Sequence, residues 1–191
     1  KHPSRADMEL RVGREIWRQY RLESKKYRTL QEQTPDSAEL ATLKQKLTDS
    51  RELAAEYLNQ GINRLGKQVS PSAALALSVL ALSQYHVESS NAEKALVQIE
   101  APKVGLLALA DPNGGGTALF GSEAMFRRFA QDAYMLALRA YIGTLPTAKD
   151  PDQNIEAAKK VMASLKNLVG TSATGNQQLV AIYYTLARDL E

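Results

Sequence analysis

Two stretches of this chain repeat one spacing, in which apolar or small residues recur at alternating intervals of three and four. The first set is Leu10, Gly13, Trp17, Tyr20, Ser24 and Tyr27, and the second is Leu40, Leu43, Leu47, Ser50, Ala54 and Tyr57. Such spacing places all members of a set on one face of an α-helix, where they need a partner surface. The pattern predicts two long helices, at about 4–33 and 36–65, that pack along matching seams.

A short connection joins these two helices. The sequence TPDS at 34–37 offers helix-capping side chains and a proline that a first turn tolerates. A connection of this length places consecutive helices side by side and antiparallel. Gly66 ends the second helix and Pro71 prevents it from resuming, so we expect residues 1–66 to form a helical hairpin and residues 71–191 to form a second region.

Five further helices follow in the second region, which gives about seven in all. We predict them at about 72–88, 92–100, 122–142, 152–169 and from 175 onward. The first, SAALALSVLALSQY, is apolar or small on every side, which is typical of a buried helix. Because no segment alternates like a strand, the sequence predicts an all-α fold. Residues 102–117 are less regular and are predicted as either a short helix or an extended segment.

The composition excludes several classes of protein. Hydrophobic residues make up 44% and charged residues 24% of the chain, so we expect a folded core. The absence of cysteine excludes disulfides, thiolate nucleophiles and cysteine-ligated zinc. The longest apolar run, residues 73–82, is about half of what a bilayer-spanning helix needs, and no signal peptide is visible. The chain starts without methionine and ends without a helix-ending signal, so we expect a piece of a longer protein, and its localisation stays open.

The helices predicted at 72–88 and 92–100 form a helix–turn–helix close to the length of a known repeat family. The small residue Ser83 precedes another small residue, Ala95, and the large Ile99 follows four positions later. This pattern resembles a degenerate tetratricopeptide repeat (TPR). It has serine where that family has glycine, and histidine at 86 where an aromatic residue is usual.

The resemblance implies an α-solenoid over residues 71–191. The helices predicted at 122–142 and 152–169 resemble a second unit, and the last predicted helix opens a third. The helix starts recur with a period of about 50, longer than the family's 34, and the loops at 102–117 and 143–151 hold the excess. We expect the repeats to continue beyond this chain. A generic helical bundle is the alternative that the sequence leaves open.

TPR-like arrays bind partners on a concave surface lined by the first helix of each pair. The resemblance therefore implies that Gln84 and Glu88 of one pair, and Arg127, Gln131 and Tyr134 of the next, face a bound partner. The last three are polar or amphipathic and are predicted to lie opposite the apolar face of their helix. We expect a non-catalytic scaffold that holds a protein or peptide partner by hydrogen bonds and charge pairing.

The sequence predicts no enzyme. The glycine-rich stretch DPNGGGTALFGSEAMFRRF at 111–129 lacks the lysine and the preceding strand that a phosphate-binding loop requires. Its three consecutive glycines, 114–116, are predicted as a flexible connector, and Ser122 as a helix N-cap. His2 and His86 are far apart and lack partners at metal-ligand spacing. We predict no catalytic, cofactor-binding or metal-binding residue.

The first helix carries most of the positive charge. Residues 1–28 contain nine Lys/Arg and four Asp/Glu, whereas the whole chain has a net charge of +3. Six cations recur along one edge of this helix and form a basic stripe: Arg11, Arg14, Arg18, Arg21, Lys25 and Arg28.

Two interpretations of the basic stripe remain open. It is either a solvated face, partly neutralised by pairs such as Glu15 with Arg18, or an electrostatic module that binds nucleic acid or an anionic membrane. A third function applies to the whole chain. It would be a structural segment of a larger solenoid, and exposed solenoid ends would then lead to self-association.

Overall fold

Helices dominate the computed structural model, which describes residues 4–65, 70–114, 116–170 and 173–188. Within these ranges no strand occurs, so the predicted all-α fold is confirmed. The helices are α1 (Arg5–Gln33), α2 (Glu39–Leu65), α3 (Ala73–Glu88), α4 (Ala92–Ile99), α5 (Leu106–Ala110), α6 (Gly116–Phe120), α7 (Glu123–Thr144), α8 (Pro151–Val169) and α9 (Ala173–Arg188), with a 3₁₀ turn at Pro112–Gly114. Each predicted helix has a counterpart. Helices α5 and α6 and the 3₁₀ turn lie mostly in the stretch that the sequence left undecided.

Side-chain caps define several helix starts. Ser122 accepts a hydrogen bond from the Met125 N–H at 3.2 Å, so its prediction as the N-cap of α7 is confirmed. Ser72 caps α3 and Asp150 caps α8 in the same way. At the start of α1, Ser4 and Asp7 form a reciprocal capping box, in which the side chain of each accepts a hydrogen bond from the backbone N–H of the other.

The chain divides into two compact units, residues 1–70 and 71–191. In the first unit, α1 and α2 form an antiparallel hairpin. Two glycines let these helices approach closely. A Cβ atom on Gly13 would lie 2.8 Å from Leu58 Cγ, and one on Gly61 would lie 2.7 Å from Leu10 Cδ2. Each leucine therefore fills the space over the glycine of the other helix, and both leucines are buried.

Burial along the seam declines toward the connection between the helices. On α1 the first three seam residues, which end at Trp17, are buried, whereas Tyr20, Ser24 and Tyr27 are half-buried. The ring centroids of Trp17 and Tyr20 lie 4.9 Å apart, at the point where burial begins to fall. The core of the hairpin is therefore at the end away from the connection.

Glu9 links the two helices at that same end. Its carboxylate is 7% exposed and accepts hydrogen bonds from Arg64 Nε at 2.8 and 2.9 Å and from Arg5 Nε at 3.0 Å. Burial acts to raise the pKa of Glu9, but the hydrogen bonds and charges of Arg64 and Arg5 outweigh it and hold the pKa below its ordinary value. Nearer the connection, Lys46 Nζ lies 2.7 Å from Glu23 Oε1 and joins the helices again.

The second unit is built around α3 and α7. Helix α3 is buried over most of its length, as its apolar sequence predicts. Helix α7 packs against α3, α4, α5, α6, α8 and α9. Its predicted apolar face is buried throughout, and consists of Phe126, Phe129, Ala133, Leu136, Ala137 and Ala140. The unit therefore folds around these two helices, and α7 contacts more elements than any other helix of the unit.

Filling the space over Gly13 should destabilise the hairpin. In Gly13→Leu the added side chain meets Leu58 on the opposite helix, and overpacking of this kind costs about 1–3 kcal/mol. Trp17 is the chain's single tryptophan and is buried in the hairpin, so the denaturant dependence of its fluorescence measures this unit. Gln31→Leu, at an exposed position of α1, should leave the transition unchanged. Equal denaturant midpoints in Gly13→Leu and Gln31→Leu would contradict the close approach of α1 and α2 at Gly13.

Protonation of Glu9 should weaken the hairpin. Its folded pKa lies below its ordinary value of 4.5, so the stability that it contributes is present above that pH and is lost as the pH falls through the folded pKa. We expect the Trp17 unfolding midpoint to fall less with acidification in Glu9→Gln than in the wild type. Glu32→Gln, at an exposed position of the same helix, should keep the wild-type pH profile. The same dependence of the unfolding midpoint on pH in all three proteins would show that Glu9 does not contribute to it.

A candidate ligand-binding cleft in the second unit

A cleft of about 730 Å³ opens between α7, α8 and the segment at 107–117. The two antiparallel helices form its floor and one wall, and the segment forms the other wall. Its lining residues are Leu107, Asp111, Pro112, Asn113, Thr117, Glu123, Phe126, Arg127, Tyr134, Lys160, Val161, Ser164, Asn167 and Leu168. All of them belong to the second unit. The volume is in the range typical of ligand-binding sites.

Close packing holds the 107–117 segment against α7. A Cβ atom on Gly116 would lie 2.4 Å from the Leu109 carbonyl oxygen and 2.6 Å from the Phe126 ring, so only glycine fits there. The Phe120 ring stacks on the Phe129 ring with centroids 4.7 Å apart. These contacts turn an irregular stretch of sequence into a fixed wall of the cleft.

A hydrogen bond from the floor ties down the same segment. The buried Tyr134 hydroxyl donates to the Ala110 carbonyl oxygen at 2.9 Å. Burial and the nearby Asp111 carboxylate raise the pKa of Tyr134, although a hydrogen bond with Ser164 lowers it. The hydroxyl therefore stays protonated at neutral pH and remains a donor to Ala110.

The cleft combines an apolar floor with a polar rim. Phe126, Tyr134 and Val161 form the buried part of the floor. The rim carries amide and hydroxyl side chains and four charges, namely Asn113, Thr117, Ser164, Asn167, Asp111, Glu123, Arg127 and Lys160. The two acidic and two basic groups balance, so the rim does not favour a highly charged ligand. Such a lining suits a ligand with apolar side chains and hydrogen-bonding groups.

Two of the five predicted groove residues, Arg127 and Tyr134, line the cleft. Arg127 is exposed at the rim, where its Nε lies 3.3 Å from Glu123 Oε1. Tyr134 was expected opposite the apolar face of its helix, and that placement is wrong, because Tyr134 is buried in the floor. The other three residues are elsewhere: Gln131 on α7, and Gln84 and Glu88 near the end of α3.

Sequence reasoning missed most of the cleft. We did not predict a binding role for the wall at 107–117. We also did not predict one for Lys160, Ser164 or Asn167 on α8. The expectation of a flexible connector is wrong for Gly116, which begins α6 and is buried against α7. Gly115 lies outside the described residues. The proline at 112 and the three glycines were the available signal, because such residues mark turns and close backbone approaches.

The basic stripe lies on α1 in the first unit. Arg14 is half-buried, and the remaining members are exposed: Arg11, Arg18, Arg21, Lys25 and Arg28. The predicted pair of Glu15 with Arg18 is present, with Arg18 Nη2 lying 2.6 Å from Glu15 Oε1. The hydrogen bonds from Arg18 and Gln19 lower the pKa of Glu15 to about 2, so this carboxylate stays charged at neutral pH.

Three further features of the described residues bear on metal binding, on the histidines and on membrane spans. There, no group of three or more His, Cys, Asp or Glu side chains is arranged to hold a metal ion. His86 is half-buried on α3, where burial and the charge of Lys94 lower its pKa; His2 lies outside the described ranges. Every described helix is too short or too polar to cross a membrane. No family model, curated protein or solved structure matches this chain.

Removing the Tyr134 hydroxyl should loosen the wall of the cleft. In Tyr134→Phe the Ala110 carbonyl loses its donor in a buried place, which costs about 1–3 kcal/mol. Amide hydrogen exchange in residues 105–121 should accelerate accordingly. The matched control is Tyr141→Phe on the same helix, whose hydroxyl donates to Glu100 at 2.6 Å at the end of α4. In Tyr141→Phe, amide exchange should accelerate near residue 100 and not in residues 105–121. The same exchange pattern in Tyr134→Phe and Tyr141→Phe would contradict the role of Tyr134 in holding the wall.

Proposed function

We propose that this protein is a non-catalytic helical scaffold whose second unit binds an extended peptide segment of a protein partner in the cleft. The observation that carries the proposal is the combination of an apolar floor, formed around Phe126 and Val161, with an amide and hydroxyl rim. Peptide recognition needs both an apolar floor and a polar rim. Apolar side chains enter pockets, and polar rim groups bond to the peptide backbone.

The dimensions of the cleft fit a short peptide. Along α7 its lining runs from Glu123 to Tyr134, which corresponds to about 16 Å at the rise of an α-helix. An extended chain advances about 3.3 Å per residue, so the cleft accommodates about five peptide residues. Asn113 and Asn167 are exposed members of the lining, one on the 107–117 segment and the other on α8. An amide side chain can donate to a peptide carbonyl and accept from a peptide N–H at once.

The packing of the second unit supports a repeat-based scaffold of the TPR-like kind. Ser83, Ala95 and Ile99, the residues that carry the resemblance, are all fully buried. Helix α7 packs on both α3 and α4, and α9 packs on both α7 and α8, as expected when successive helix pairs stack. We propose that α3 with α4 and α7 with α8 are two such pairs and that α9 begins a third.

A second candidate function is that of a structural segment, and the outer face of α9 favours it. Val180 and Tyr184 are 68% and 71% exposed and lie four residues apart, so they form an apolar strip on one side of this helix. Such a strip is where a following helix of the array would stack.

Blocking the cleft should abolish peptide binding. Peptides of 12 residues are selected from a random phage-displayed library on the whole chain, and their affinities are measured by fluorescence anisotropy. Asn167→Trp fills the cleft from its rim and should weaken the selected peptides by about tenfold or more. Ala163→Trp adds the same side chain at an exposed position of α8 outside the lining and should change affinity by less than about twofold.

Two results would count against the proposal. One is a library that yields no peptide, and the other is a set of peptides whose affinity is equally reduced, or equally unaffected, in both variants. Circular dichroism of each variant checks that the helices are intact. Concentration-dependent self-association without peptide binding, abolished in Tyr184→Ser, would favour the structural segment instead.

A further inference from the structure

The basic stripe follows one edge of α1 and belongs to the first unit, whereas the cleft belongs to the second unit. Its first and last members, Arg11 and Arg28, are separated by about 25 Å at the rise of an α-helix. Intervals of three and four residues place about one cation on each turn. The stripe is therefore an extended band of positive charge rather than a compact cluster.

Most of this charge is not neutralised within the hairpin. Arg18 pairs with Glu15, but Arg11, Lys25 and Arg28 have no carboxylate partner in the described part of the chain. Arg14 donates to the Leu10 carbonyl oxygen, and its partial burial together with the charge of Arg11 lowers its pKa. Like charges three and four residues apart on a helix repel each other. The uncompensated cations of the stripe therefore repel one another, and a bound polyanion would reduce this repulsion.

We propose that the basic stripe binds the phosphate backbone of double-stranded nucleic acid. Five of its six cations are arginines, whose planar guanidinium groups form paired hydrogen bonds with phosphate oxygens. A duplex presents a dense array of phosphates along a stiff rod, and the hairpin presents an extended band of cations along α1. Phosphate contacts carry no sequence information, so the binding is independent of base sequence.

The seam of the hairpin argues against two other polyanions. A helix that lies in a membrane interface buries a continuous apolar face in lipid. The seam residues Leu10 and Trp17 of α1 are buried against α2, which leaves Met8, Val12 and Leu22 as the exposed large apolar side chains of this helix. A single strand is held by stacking its bases on exposed aromatic rings, whereas Trp17 is 6% exposed and Tyr20 and Tyr27 are half-buried along the seam. A duplex requires neither an apolar face nor an exposed ring.

The test is the salt dependence of binding of the whole chain to a fluorescein-labelled 20-base-pair DNA of arbitrary sequence, followed by anisotropy. Each neutralised phosphate contributes about 0.9 to the slope of log affinity against log salt, so the three cations without a carboxylate partner give a slope of about −3. The affinity should then fall about 40-fold between 50 and 200 mM salt. Arg11/Lys25/Arg28→Gln should reduce the slope by about three, because three contacts are lost.

The control variant, Lys103/Lys149/Lys166→Gln, removes the same charge from exposed positions of the second unit and should keep the wild-type slope. Trp17 fluorescence checks that the hairpin remains folded in both variants. Three results would overturn the proposal: absence of duplex binding at 50 mM salt, the same slope in both variants, or tighter binding to single-stranded DNA or to phosphatidylserine vesicles than to the duplex.

Discussion

Hydrophobic burial of the inner face of α7 is the interaction on which the second unit depends. Six other helices contact α7, and the residues of its apolar face, such as Phe126, Phe129 and Leu136, are buried. The same helix then supplies the floor of the cleft through Phe126 and Tyr134. A change that moves α7 therefore disturbs the core and the cleft together, whereas α8 and the 107–117 segment can vary at the rim without loss of the core.

The hairpin relies on a different device, the close approach of two helices over glycine. Gly13 and Gly61 leave room for Leu58 and Leu10, which are buried although the hairpin is only two helices thick. Glu9 has a buried carboxylate at the same end. The desolvation cost of this charge is offset because two arginines pair with it. Apolar packing and the ion pairs thus coincide at one end of the hairpin, and the seam toward the connection is more exposed.

The two proposed binding surfaces differ in the physics of recognition. The cleft has balanced charge and an apolar floor, so its affinity for a peptide depends on burial and hydrogen bonds and should vary little with salt. The basic stripe consists mostly of exposed cations, so the affinity proposed for a duplex is electrostatic and should vary steeply with salt. Each surface lies wholly within one unit, which allows the two functions to be tested by separate substitutions.

The sequence by itself determined the elements that have a strong local signal. Apolar spacing of three and four predicted α1 and α2, and Ser122 was identified as the cap of α7 because capping depends only on neighbouring residues. Tertiary structure alone decided the cleft. Residues 105–121 have no periodicity, and their place is fixed by long-range contacts such as that between Tyr134 and Ala110. The same contacts bury Tyr134, because a segment remote in sequence covers a helix side that was predicted to lie opposite the apolar face and to bind a partner.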